Sequence, residues 1–316
     1  MLYRKIGKCG VKVSEVALGS WLTYGGSSDD STAVLCIERA YDLGINFFDT
    51  ANVYANGKAE VVVGRALQQY ERSSYVLATK CYFPMGSGPN DRGLSRKHIF
   101  EQCDASLKRL GTEYIDLYQC HRYDTETPVE ETLLALNDLA VNGKILYAGV
   151  SEWNASQIDN AVNYTTANCL HPIVSNQPLY NMFSRGIEES VIPTCEPHGI
   201  GQVVFSPLAQ GVLTGKYKSG QPKPAGSRAS DPEQNMFLNG GKLDETQLLK
   251  VGKLSDIAAS LGISMAQLAL AWCLRQPSVS SVIIGASRVG QVEDNAKASG
   301  IVLGADAVAK IAEILA

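Results

Sequence analysis

Four polar residues hold positions from which they could act together: Asp49 in FFDTANVY, Tyr54 in the same segment, Lys80 closing VLATK, and His121 closing DLYQCH. A phenol has an ordinary pKa near 10, so a tyrosine that donates a proton at neutral pH needs a cation beside it to hold the phenolate. Lys80 can supply that cation, Asp49 can hold Lys80 by an ion pair, and His121 can orient a carbonyl group or assist the proton transfer. Taken singly, each residue has a plainer reading: a structural histidine, a capping aspartate, a surface lysine and a surface tyrosine. Taken together, at the ends of three successive strands, coincidence is the poorer explanation.

The elements that must position them are readable from periodicity. Short apolar runs at Val16–Leu18, Ile45–Phe48, Tyr75–Thr79, Tyr114–Cys120, Ile145–Val150, Ile173–Ser175, Gln202–Phe205 and Val282–Ile284 read as strands. Amphipathic segments separate them. Ser95 as N-cap, Phe100, Cys103, Leu107 and Leu110 at helical spacing, and Gly111 as a stop mark one such helix. Ser264 with Gln267 and Asp244 with Gln247 resemble capping boxes opening two more. A doubly wound open sheet would give the same alternation, but the count of eight strands predicts a (β/α)8 TIM barrel in a single domain over 1–316. An N-terminal β-hairpin turning at Gly10 precedes it. In such a barrel the active site lies at the C-terminal strand ends, and residues two apart share a face. Val76, Ala78 and Lys80, and likewise Leu117, Gln119 and His121, then point the polar ends into the mouth. The same alternation aims Cys81 and Cys120 away from it, as packing residues.

Composition narrows the class of function. A net charge of -4 over 316 residues gives no general attraction to nucleic acid or anionic membranes. No apolar run approaches the roughly 18 residues of a spanning helix, and MLYRKIGKCGVKVS has no apolar leader core, so a cytoplasmic protein without membrane insertion is expected. The eight cysteines show no C-x-x-C pair and no metal-ligand spacing. Reduced thiols and no metal are the expectation. Two irregular stretches, 206–242 and 78–93, exceed ordinary connections and read as functional loops. The first is locally basic, with Lys216, Lys218, Lys223 and Arg228 and no acid among them, which points to an anionic ligand.

In their order along nearly the whole chain, GVKVSEVALGSW, FFDTANVYANGKAEVVVGRAL, VLATK, DLYQCH, GVSEWN, SNQPLYN, SPLAQGVLTGKY and VIIGASRVGQVEDN resemble the aldo-keto reductases, which are NADPH-dependent barrels. GSRAS and GASRVGQ place the resemblance nearest the branch containing the voltage-gated potassium channel β subunits and their bacterial homologues. The resemblance implies a catalytic tetrad of Asp49, Tyr54, Lys80 and His121, with Tyr54 protonating the carbonyl oxygen. It implies nicotinamide contacts from Ser20, Trp21, Ser151, Asn176, Gln177 and Phe205, with Asp49 close by. It further implies a pyrophosphate loop of Ser206, Pro207, Leu208, Gln210, Gly211 and Lys216, with Arg228 as a lid arginine. An adenosine and 2′-phosphate site follows from Gly285, Ser287, Arg288, Gln291, Asp294 and Asn295. Read from the residues alone, Ser287 opens a helix whose N-terminus can hold a phosphate, with Arg288 as a charged donor, so NADPH is expected over NADH.

Two departures qualify the resemblance: His121 stands where channel subunits commonly carry Asn, and Glu152 where they commonly carry Arg. His121, and the absence of a long extension before the hairpin, favour a reductase of small carbonyl substrates. The alternative is an NADPH-binding regulatory protein that senses redox state with little turnover. A hydrolase or aldolase using Lys80 as a Schiff-base amine leaves Tyr54, Arg288 and the basic loop without roles. Trp21, Tyr24, Tyr82, Phe83 and Trp153 are expected in or beside loops at the mouth, where aromatic walls suit apolar carbonyls. The resembled branch also implies a homo-oligomer, which no pattern in the sequence demands.

Overall fold

The computed structural model describes residues 1–21, 24, 30–232, 234–238 and 243–316. Strands β1 (Tyr3–Lys5) and β2 (Lys12–Ser14) pair antiparallel, with Tyr3 opposite Ser14, and form the expected hairpin. Eight parallel strands then close on themselves: β3 (Val16–Gly19), β4 (Phe47–Asp49), β5 (Val76–Cys81), β6 (Ile115–Cys120), β7 (Ile145–Ser151), β8 (Ile173–Gln177), β9 (Gly201–Val204) and β10 (Val279–Gly285). They run in chain order around the ring, and β10 seals against β3. The chain is a (β/α)8 barrel with an N-terminal hairpin.

The expected strands are present with displaced ends. Ile45 lies outside β4 because its amide completes the preceding helix on Ala40 O at 2.9 Å, and the Asn46 side chain accepts from Ser14 N of the hairpin at 2.7 Å. Phe205 falls just past β9, joined to Leu179 by a lone bridge.

Alternation divides the strands between two cores. Ala17, Phe47, Val76, Ala78, Leu117, Val203 and Ile283 form the barrel interior together with Ile6 and Val13 of the hairpin. Phe48, Leu77, Cys81, Tyr118, Cys120 and Val150 join the layer between barrel and helices. Phe47 and Phe48 therefore anchor β4 on opposite sides, each burial contributing about 1.5–3 kcal/mol. Burial pushes the Cys81 thiol up to about 12 and raises Cys120 well above its ordinary value, so neither is a thiolate at neutral pH. All eight cysteines are free thiols, and no metal-ligand cluster occurs among the described residues.

The outer ring comprises α1 (Asp30–Asp42), α2 (Lys58–Leu67), α3 (Arg96–Leu110), α4 (Val129–Val141), α5 (Ala155–Ala167), α6 (Val191–His198), α7 (Glu245–Ser260), α8 (Met265–Leu274), α9 (Val289–Ala296) and α10 (Ala305–Leu315). Helix α3 begins as read, with Ser95 accepting from His98 N, and stops at Gly111 in the left-handed region at φ 64°. Ser264 and Gln267 form a complete capping box. Asp244 caps α7 through Thr246 N and Gln247 N without the return bond from Gln247, so it is a cap rather than a box. The long basic segment carries short 3-10 turns at Ala209–Thr214, Arg228–Ser230 and Asn235–Leu238, and its expected end at Lys242 lies outside the described residues. Among the described residues no single helix is long and apolar enough to cross a membrane.

Candidate active site

The loop after β4 is lashed to β5 by Thr50 N to Ala78 O at 2.9 Å and Asn52 N to Lys80 O at 3.1 Å. Tyr54 then opens a 3-10 turn in which Ala55 (φ 47°), Asn56 (φ 52°) and Gly57 (φ 87°) are all left-handed. Residues other than glycine cost about 1–3 kcal/mol each there, so the surroundings must fix this reversal. Gly57 is required as well as tolerated: a Cβ would meet Arg109 Cδ at 2.8 Å, and Glu60 holds that guanidinium at 2.5 Å. ANG after Tyr54 thus turns the chain back and leaves the phenol over the barrel mouth.

At the mouth Lys80 Nζ donates to Asp49 Oδ1 at 2.5 Å and to Thr50 O at 2.7 Å, and lies 3.4 Å from Tyr54 Oη. Lys80 is fully buried, Asp49 nearly so, and Tyr54 half-buried. The second carboxylate oxygen of Asp49 accepts from Gln177 Nε2 at 2.9 Å and Gln119 Nε2 at 3.3 Å. The imidazole of His121 stands edge-on to the Tyr54 ring with centroids 5.6 Å apart. The structure thus brings Asp49, Tyr54, Lys80 and His121 into one cluster.

Electrostatics assign the protonation states. Burial pushes the Tyr54 phenol up, Lys80 draws it back, Asp49 adds to the rise, and Arg122 lowers it further. Burial alone would depress Lys80, but Asp49 and the Tyr54 phenol outweigh it and hold the ammonium above its ordinary value. Burial, then the charges of Lys80 and Arg122, push His121 well below its ordinary value. The imidazole is neutral at pH 7, and its buried Nδ1 has no partner among the described residues.

A stability prediction follows for His121. Its folded pKa lies below the unfolded value of about 6.5, so the neutral ring contributes stability fully above that pH and loses it as pH falls toward the folded pKa. Urea unfolding at about pH 7.5 and pH 5 should show a smaller loss for His121→Asn than for the native chain. An identical loss would show that His121 does not resist protonation.

The positions implied for a dinucleotide sort into three groups. Near the tetrad, Ser20 Oγ donates to Thr50 Oγ1 at 2.8 Å, Ser151 Oγ donates to Gln177 O at 2.8 Å, and Gln177 Oε1 accepts no bond among the described residues. Asn176 does not join them. Gln177 reaches Asp49 inside the mouth, whereas Asn176, one residue earlier on β8, has Val150 and Gln202 as register partners. Its side-chain Oδ1 and Nδ2 are buried without a partner among the described residues.

After β9, Ser206, Ala209, Gln210 and Gly211 all have positive φ, and Pro207 and Leu208 pack beneath them. Ser206 Oγ accepts from Gln210 Nε2 at 2.9 Å, and Arg228 Nη1 donates to Gln210 Oε1. Burial lowers the Arg228 guanidinium, which no carboxylate pairs among the described residues; it lies 5.8 Å from the Trp21 ring. Lys216 sits over the Tyr217 ring at 5.1 Å, and a Cβ on Gly211 would meet its ammonium at 3.0 Å.

After β10, Gly285, Ser287 and Arg288 are exposed, and Arg288 has no ion-pair partner among the described residues. The N-cap of α9 is Arg288 rather than Ser287, whose amide donates to Gln291 Oε1 at 2.8 Å. Asp294 gives its carboxylate to the start of α8, accepting from Ser264 Oγ at 2.9 Å and Gln267 Nε2 at 2.7 Å, and Asn295 is buried. Lys216, Arg228 and Arg288 have no carboxylate partner among the described residues, and a left-handed turn and a helix start lie in the same two loops; such groups can donate to an anion.

Two of the aromatics expected at the mouth lie in loops after β3 and β7 but are buried. Tyr24 and Trp153 are each 2% exposed: Tyr24 lies beside Cys36 of α1, and Trp153 packs on Tyr123 at 4.8 Å. Phe83 does reach the mouth, edge-on to His121 at 4.9 Å, with Tyr82 against it at 5.2 Å. Gln119 and Arg122 were not singled out as site residues by sequence; the signal for Gln119 was its shared face with His121.

The family model described as the aldo/keto reductase family matches residues 15–316. The chain is 45% identical over 308 residues to a probable voltage-gated potassium channel subunit beta of Oryza sativa, covering 96% of this chain and 92% of that protein. It is 45% identical over 305 residues to one from Arabidopsis thaliana, with the same two coverages. A putative one from Schizosaccharomyces pombe is 43% identical over 324 residues, covering 99% and 93%. With a barrel of this topology and a match across nearly its whole length, the chain belongs to the aldo/keto reductase family.

Proposed function

We propose that this protein is an NADPH-dependent reductase of aldehydes and ketones to alcohols, with Tyr54 as the proton donor. The observation that carries the reading is the chain from buried Asp49 and Lys80 to half-buried Tyr54 at the barrel mouth, with distances of 2.5 Å and 3.4 Å. Asp49 fixes the ammonium, the ammonium stabilises the phenolate left after proton transfer, and Thr50 O holds the third direction. Neutral His121 places a hydrogen-bonding ring beside the phenol without competing as an acid. NADPH, when bound, supplies the hydride. Ser151 and Gln177 would hold its carboxamide, Phe205 would face its ring, and Gln210, Lys216 and Arg228 would hold its pyrophosphate. Arg288 would hold the 2′-phosphate.

The test is consumption of NADPH and of NADH by purified protein with a panel of aldehydes. NADPH is expected to be the better cofactor. In Arg288→Ala that preference should fall by about ten- to a hundredfold, since hydrogen bonds to charged groups contribute about 1.5–3 kcal/mol. An unchanged preference would remove Arg288 from the phosphate site.

The similarity to proteins described as voltage-gated potassium channel β subunits favours a second reading, an NADPH-binding regulatory protein with little turnover. Tight NADPH binding without reduction of any carbonyl, together with capture of a channel partner, would favour it.

A further inference from the structure

Arg122 follows His121 and is half-buried at the mouth. Its Nη1 donates to His121 O at 2.5 Å, and its guanidinium carbon lies 5.5 Å from the centre of the Phe83 ring. Phe83 in turn stands edge-on to His121, and His121 edge-on to Tyr54. One of five N–H donors is thereby used. Among the described residues the others meet no acceptor, and no carboxylate pairs with the cation.

The acids that could neutralise it are committed elsewhere. Asp49 is bound to Lys80. Asp124 accepts from Leu94 N at 2.7 Å, Glu126 N at 3.0 Å and Thr127 Oγ1 at 2.7 Å, which ties the loop after β5 to the loop after β6. The charge of Arg122 is felt at both Tyr54 and His121. Lys216, Arg228 and Arg288 follow β9 and β10, whereas Arg122 follows β6 across the ring. It is therefore separate from the cations fitted to the cofactor phosphates.

We propose that Arg122 is a specificity-determining residue that selects carbonyl substrates bearing a carboxylate. A guanidinium fork matches a carboxylate with two parallel bonds, and the Phe83 face fixes its plane. The carboxylate rests on Arg122 while the carbonyl oxygen faces Tyr54; no bond to the arginine is made or broken. This inference rests on the reductase reading for its turnover and on the arginine alone for its binding.

The experiment compares 4-carboxybenzaldehyde with its neutral methyl ester in the native protein, Arg122→Gln and Arg122→Lys. In Arg122→Gln, kcat/KM for the carboxylate should fall about ten- to a hundredfold further than for the ester, mostly through KM, since any change at Tyr54 or His121 acts on both substrates alike. Arg122→Lys should recover part of the loss. Equal losses on both aldehydes, or no loss on either, would overturn the proposal and leave the reductase standing. Calorimetric titration of 4-(hydroxymethyl)benzoate against its methyl ester gives a readout without turnover. Tighter binding of the carboxylate, abolished in Arg122→Gln, supports the anion site even if neither aldehyde is reduced, and that result would count against the reductase reading alone. Equal binding of acid and ester in the native protein contradicts the proposal.

Discussion

Tyr54→Phe is expected to lower kcat for carbonyl reduction by about a hundredfold to ten-thousandfold, the range a positioned general acid supplies. The hydroxyl is the only group removed, and its one contact among the described residues is Lys80 Nζ at 3.4 Å. Stability should therefore change by about 1 kcal/mol or less. Cofactor affinity should be retained, because no group assigned to the phosphates touches the ring. Single-turnover kinetics with tryptophan fluorescence for binding would separate the two quantities. Equal loss of binding and turnover would mean that the phenol supports the cofactor rather than the proton transfer.

Lys80→Met should have the larger structural effect. Lys80 and Asp49 are buried together, and removing the ammonium strands a carboxylate whose remaining donors are Gln177 and Gln119. Breaking a buried pair by removing one partner costs about 3–5 kcal/mol. Asp49→Asn added to Lys80→Met removes the stranded charge, so the double variant should recover about 1–3 kcal/mol of that loss. Both variants should lose turnover at least as severely as Tyr54→Phe, since nothing then holds the phenolate. Urea unfolding of the three proteins checks the coupling. A double variant no more stable than Lys80→Met would show that the aspartate is not charged when the lysine is absent.

Much of this site can be read from strand alternation. Lys80 and Gln119 are register partners on β5 and β6, and their inward faces follow from counting by twos from Val76 and Leu117. The capping of α3 and α8 was legible because caps are local. The face of Asn176 is not legible by counting, because a shift of one residue on a strand reverses the face and β8 meets β7 through a register irregularity between Ala148 and Gly149. The bonds of Asp294 to Ser264 and Gln267 are not legible, because these partners are distant in sequence and meet it only once α8 and α9 pack. Burial of Tyr24 and Trp153 likewise depends on α1 and Tyr123, not on their own neighbours. The left-handed run from Ala209 to Gly211 leaves a weak mark in sequence, since only one of its residues is a glycine.

Deuterium transfer tests the central claim most directly. NADPH dideuterated at C4 of the nicotinamide would be incubated with the native protein and 4-carboxybenzaldehyde, and the products weighed by mass spectrometry. A carbonyl reductase yields the benzylic alcohol carrying one deuterium at the former carbonyl carbon, in step with NADPH consumed, and far less of it with Tyr54→Phe. Tight binding of the cofactor with no labelled alcohol would contradict the account.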